Sequence, residues 1–220
     1  MVDLLQNTLR GHYKISSKVT LRFEQIDSRE FDLDDSFCFV MEKGQGKASF
    51  INDNGPLKIL CYEDFIKQCK KPRSFAEGRK RCDFILCHDS VGGSFVLNEI
   101  TSAYGDESNL TLPILKGNPP YPGGKNQKVV DQFVYTLDTL LQVPDIRAKI
   151  ESYNRKICVM SYKVFLCNND LIDKTIAAAY SYRNVESLET QGAGAIIAEK
   201  RINDLGFEYR RISHDYSFLL

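Results

Sequence analysis

The chain has 220 residues, 43% of them hydrophobic and 26% charged, enough for one sizeable core and too ordinary in composition for wholesale disorder. Its 29 Lys and Arg balance 29 Asp and Glu, so the whole chain offers no bulk electrostatic case for nucleic acid or an anionic membrane. No apolar run approaches the roughly 20 residues of a membrane-crossing helix. The start, Met1-Val2-Asp3-Leu4-Leu5, carries an acid where a secretory signal needs bases. A cytoplasmic protein without membrane attachment is expected.

In chain order, residues 3–9 suit a short helix with Leu4, Leu5 and Leu9 on one side. From residue 14 to 50 the apolar period becomes two: Val19-Leu21-Phe23, Phe37-Phe39 and Ala48-Phe50 alternate with polar residues, as half-buried antiparallel strands do. Asp34-Asp35-Ser36 and Gly44-Gln45-Gly46 supply turns. Residues 62–69 read as a short helix, followed to residue 81 by a polar, basic stretch broken by Pro72 and Gly78. Residues 82–87 and 95–101 flank the turn-rich segment 88–94, which predicts a hairpin. Residues 109–124, with four prolines, are expected as a loop.

The strongest helical signal follows, with Val129, Val130, Phe133, Leu137, Leu140 and Leu141 at three- and four-residue spacings. Pro144 ends this helix or starts another. Residues 156–165 are expected as a strand, 172–182 and 193–205 as helices, and 207–212 as a last strand. The seven cysteines (38, 61, 69, 82, 87, 158 and 167) are odd in number and include no Cys-x-x-Cys pair. They read as reduced, buried thiols.

Chemistry is concentrated around Asp83 and the strand Phe95-Val96-Leu97-Asn98-Glu99-Ile100-Thr101. Residues two apart on a strand share a face, so Glu99 and Thr101 point the same way, and Asp83 can approach Glu99 across the hairpin. Converging carboxylates repel unless a cation sits between them, and hard divalent ions take such oxygen ligands. The plainer alternative makes both ordinary strand residues on a solvent face. His88-Asp89, in the hairpin turn, is a lesser candidate.

This arrangement resembles the restriction-endonuclease-like, or PD-(D/E)xK, nuclease superfamily: an Asp on one strand, a hairpin, then hydrophobic-x-Glu-x-Lys on the next. The resemblance covers about residues 62–165, with a helix before Asp83, a long helix after the Glu strand and a strand after that. It implies a restriction-endonuclease-like α/β (α+β) fold, a central mixed sheet flanked by helices. A strand-rich region 1–61 would pack on a nuclease-like core 62–220 in one compact domain. It also implies a Mg²⁺- or Mn²⁺-dependent endonuclease acting on DNA, in settings such as restriction or phage defence, with RNA not excluded. Asp83 and Glu99 would be the metal ligands.

The family's catalytic Lys falls at Thr101, whose hydroxyl carries no charge. Lys125 and Lys128 are the candidates for a relocated cation, and Gln132 is similar to a helix-borne Gln of some such nucleases. The alternative is a catalytically degenerate member serving as a DNA-binding or protein-interaction subunit.

Local charge fits a phosphate-rich partner. Residues 67–81 hold seven bases (Lys67, Lys70, Lys71, Arg73, Arg79, Lys80, Arg81) against Glu77 alone. Of these, Lys70, Lys71, Arg73, Arg79, Lys80 and Arg81 are the expected nucleic-acid contacts. Residues 24–42 hold seven acids against Arg29. Those acidic strands would suit a second copy of the chain or a basic protein partner.

Overall fold

The structure is a computed structural model, and it describes residues 1–36, 38–69, 81–90, 92–104, 110, 112–115, 120–165 and 194–220. The strands β1 (Phe23–Ile26), β2 (Glu30–Leu33), β3 (Val40–Met41), β4 (Ala48–Ile51) and β5 (Leu57–Cys61) come first. They are followed by β6 (Phe84–His88), β7 (Ser94–Tyr104), β8 (Arg155–Phe165), β9 (Ala195–Ile197), β10 (Glu208–Ser213) and β11 (Ser217–Leu219). The chain opens with π-helical turns over Leu4–Leu9 that lead into α1 (Arg10–His12). The other helices are α2 (Tyr62–Gln68), α3 (Gly124–Leu141), α4 (Pro144–Glu151) and α5 (Lys200–Asn203).

Seven strands form one mixed sheet in the order β1-β5-β6-β7-β8-β10-β9, and four form a second in the order β11-β4-β2-β3. In the large sheet β5, β6 and β7 run as an antiparallel meander. The chain then crosses over through α3 and α4 and returns as β8, parallel to β7 along eleven residue pairs. Strand β10 is in turn parallel to β8.

Period-two alternation assigns the two faces. Leu60, Ile85, Cys87, Phe95, Leu97, Cys158 and Met160 pack with the helices. Leu57, Ile59, Phe84, Leu86, Val96, Ile157 and Val159 pack against Phe31, Leu33, Phe50 and Phe218 of the small sheet. The molecule is thus three layers: helices, large sheet, small sheet.

The long helix follows its sequence signal: Val129, Val130, Phe133, Leu137 and Leu140 are buried on α3. Pro144 starts α4, where its missing amide costs nothing because the first turn has no partner for it. In the small sheet, fully buried Asp32 accepts bonds from the Gly44 and Gly46 amides and from Ser49 Oγ. A Cβ at Gly46 would lie 2.6 Å from Asp32 Cβ, so only glycine fits this wrap.

Several expectations change. Residue 61 is no boundary between layers, because β1 and β5 belong to the large sheet and C-terminal β11 completes the small one. Val19 and Leu21 are buried but precede β1, and the small sheet uses Glu30–Leu33 instead. The helix expected over 193–205 is strand β9 followed by the short α5, since β9 pairs with β10. Cys38 is exposed, while Cys61, Cys69, Cys82, Cys87 and Cys158 are buried free thiols. The helix expected over 172–182 and Cys167 lie outside the described residues. No described helix is long and apolar enough to cross a membrane.

Candidate active site

The hairpin register brings the two carboxylates together. Phe84 of β6 pairs with Asn98 of β7, so one residue further Asp83 falls opposite Glu99. Both share the parity of Ile85, Leu97 and Phe95, and therefore face the helices. Asp83 Oδ2 accepts the Ile100 amide at 2.8 Å, which pins its carboxylate against β7. Glu99 continues the row of Phe95 and Leu97 beneath α3 and is only 5% exposed. The alternative of two solvent-facing strand residues is therefore set aside.

Helix α3 supplies the third member. Gln132 Nε2 donates to Glu99 Oε1 at 2.6 Å and to the Arg81 carbonyl at 3.0 Å. One turn on, Thr136 Oγ1 accepts the Cys82 amide at 3.1 Å. Gln132 and Thr136, four residues apart on one helical face, thus clamp the backbone just before Asp83. Glu99 Oε2 and Gln132 Oε1 are buried with no hydrogen-bond partner. Leaving a buried carboxylate oxygen unmet costs about 1–3 kcal/mol, more when it is charged.

Electrostatics agree with the geometry. Burial above all pushes the Asp83 carboxyl up to about 7; the Ile100 amide opposes this, and Glu63 and Asp35 add to it. Burial, then the Asp83 charge, hold Glu99 well above the carboxylate range, with the Gln132 bond and Lys128 pulling back. Two carboxylates that each resist ionisation next to the other form a site that favours a cation. Asp83 and Glu99 are the residues that could hold one. Among the described residues no group of three or more His, Cys, Asp or Glu could hold a metal. Carbonyl, water or substrate oxygens would have to complete the shell, as Mg²⁺ commonly allows.

The remaining candidates separate. Lys128, one turn before Gln132 on α3, is the lysine whose charge acts on Glu99. Lys125 is lowered by burial and then by Lys128, and stands further along the helix. Thr101, partly buried, follows Glu99 on the same strand face. Arg81 is 2% exposed, with its carbonyl clamped by Gln132, so its expected role as a surface contact to a nucleic-acid backbone is corrected. Lys70, Lys71, Arg73, Arg79 and Lys80 lie outside the described residues.

His88 is buried, with Nε2 2.9 Å from Asn52 Oδ1 and Nδ1 accepting the Ser94 amide. This bracing of a turn gives it a structural place. Asp89 pairs with Lys58.

Helix α2 was not expected at the site. Its first amides, Tyr62 and Glu63, donate to the Asp83 carbonyl at 2.9 and 3.1 Å. A small cleft beside Asp83 is lined by Glu63, Asp64, Lys67 and Cys61 from this segment, with Asp35 from the β2–β3 turn. The only hint in the sequence was the Glu63–Lys67 spacing of four, which signals a helix face and says nothing of Asp83. No protein family, curated protein or solved structure matches the chain.

Proposed function

We propose that this chain is a metal-dependent nuclease that hydrolyses phosphodiester bonds in DNA, with a restriction-endonuclease-like core. The observation that carries this is the Asp83–Glu99 pair, Glu99 buried and Asp83 half-buried, fixed by the Ile100 amide and by Gln132, with Glu99 Oε2 unpartnered. The β5-β6-β7 meander, the α3 crossover and parallel β8 supply the element order that the motif's resemblance implies.

The donor set suits a hard divalent ion: two carboxylates, one with an orphaned oxygen. Mg²⁺ or Mn²⁺ held by Asp83 and Glu99 would polarise a phosphate oxygen and acidify a bound water. The chain's own residues do the rest. Gln132 fixes the rotamer of Glu99 and ties it to the backbone before Asp83. The Ile100 amide holds Asp83. Lys128 brings positive charge to the Glu99 end, where a phosphate would gather negative charge.

Purified chain should nick plasmid and degrade single-stranded DNA with Mg²⁺ or Mn²⁺, lose this with chelator, and lose at least about 100-fold on Asp83→Asn. No cleavage by the wild type on any substrate with either metal ends the nuclease reading. A second reading, a catalytically degenerate fold serving as a DNA-binding or protein-interaction subunit, is favoured by Thr101 at the motif's Lys position. It predicts salt-sensitive DNA binding without cleavage.

A further inference from the structure

We propose that Lys67 supplies the positive charge that Thr101 cannot, contacting the scissile phosphate from the Asp83 side; this assignment rests on the nuclease reading. Phosphodiester hydrolysis places additional negative charge on the non-bridging oxygens as water adds to phosphorus, and a fixed cation there lowers the barrier. Thr101, next on the Glu99 face, has only a hydroxyl to offer. Among the described residues, three lysines come into question. Lys128 approaches Glu99 from α3, and Lys125 lies a turn further away. Lys67 alone of the three lines the cleft that Asp83 opens into.

Its placement is built from two fixed points. Helix α2 begins on Asp83 itself, because the Tyr62 and Glu63 amides both donate to the Asp83 carbonyl. The distance from the Asp83 backbone to the last turn of α2 is therefore set by a rigid helix. Within that helix Glu63 Oε2 lies 2.5 Å and Asp64 Oδ1 3.8 Å from Lys67 Nζ, which holds the ammonium over the cleft. The Lys67 side chain is 51% exposed, so its four-carbon stem can exchange Glu63 for a phosphate oxygen without unpacking the core. An exposed pair of this kind adds little to stability. Removing Lys67 therefore tests chemistry and not folding.

The bond changes are simple. Water forms a new bond to phosphorus as the bond to the departing sugar oxygen breaks. The water's proton passes to solvent, and the departing oxygen takes one up from solvent. Lys67 keeps its proton throughout and neutralises charge on a non-bridging oxygen.

The test compares the full wild-type chain with Lys67→Met, Lys67→Arg and Glu63→Gln on single-stranded DNA with Mn²⁺. It reads kcat and KM together with melting midpoint and Mn²⁺ affinity. Lys67→Met should lower kcat by about 100-fold, with KM, melting midpoint and Mn²⁺ affinity little changed. Lys67→Arg should recover about a tenth of the wild-type rate, the charge being kept in a different geometry. Glu63→Gln should not reproduce the loss. An active wild type with an equally active Lys67→Met overturns the assignment and leaves the nuclease reading standing. Equal losses in Lys67→Met and Glu63→Gln overturn it too, since the ion pair would then be what matters. A wild type that cleaves nothing overturns the nuclease reading and this assignment with it.

Discussion

Asp83 and Glu99 are held where neither ionises comfortably, and that has a consequence for stability as well as chemistry. Folding raises the Asp83 carboxyl from 3.8 to about 7. Between those values the folded chain binds more protons than the unfolded one, so stability falls as pH rises through this window and levels off above about 7. In chelator, the melting midpoint should therefore drop between pH 5 and pH 7.5. Asp83→Asn, with no charge to bury, should flatten the dependence and melt higher than wild type at pH 7.5. Equal pH profiles for the two proteins would count against the strained pair. Most of this site could be read from residues: an Asp and a Glu flanking a hairpin, with Gln132 on the next helix. What residues could not give was burial, which separates a strained pair from two solvated acids. Arg81 shows the same gap in reverse, being a base in a basic run that the fold turns inward.

Helix α3 is the element on which the site depends, because one face packs the core and the adjoining polar face carries Lys128, Gln132 and Thr136. Phe133, fully buried, stacks edge-on to Tyr209 at 6.0 Å. Phe133→Ala should cost about 3–5 kcal/mol in urea unfolding. It should also loosen the Gln132–Glu99 bond, because the helix loses its anchor one residue from Gln132. A change below about 1 kcal/mol would mean that α3 is not seated as described. This helix was legible because an 18-residue amphipathic period outlasts local noise. The β6–β7 hairpin was legible because glycines mark its turn. Strand β5 was not, for Leu57-Lys58-Ile59-Leu60-Cys61 is buried on both faces and shows no alternation. Strand β9 was hidden for another reason: Ala195-Ile196-Ile197 reads equally as helix, and its pairing with β10 decides the matter.

At the scale of the molecule, two hydrophobic cores share one sheet. Adjacent residues of β6 feed opposite sides, Ile85 toward the helices and Leu86 toward the small sheet. The small sheet also needs both ends of the chain. Strand β11 pairs with β4 in parallel, the Leu220 amide donates to Ile51, and Asn54 Nδ2 donates to the Leu220 carbonyl. Contacts this far apart in sequence leave no local pattern, which is why the split at residue 61 looked natural in the sequence and is absent from the fold.

Phe218 is fully buried, with its ring 6.3 Å from Phe50. Phe218→Ala should therefore destabilise by about 3–5 kcal/mol although only two residues follow it. Because the large sheet is common to both cores, neither core can melt without exposing the back of the other. Far-UV circular dichroism and tyrosine fluorescence should then report one coincident urea transition. Phe133→Ala and Phe218→Ala sit in separate clusters on opposite faces of the sheet, so their costs should add to within about 0.5 kcal/mol. Two resolved transitions, with each substitution moving only one of them, would show that the layers unfold independently.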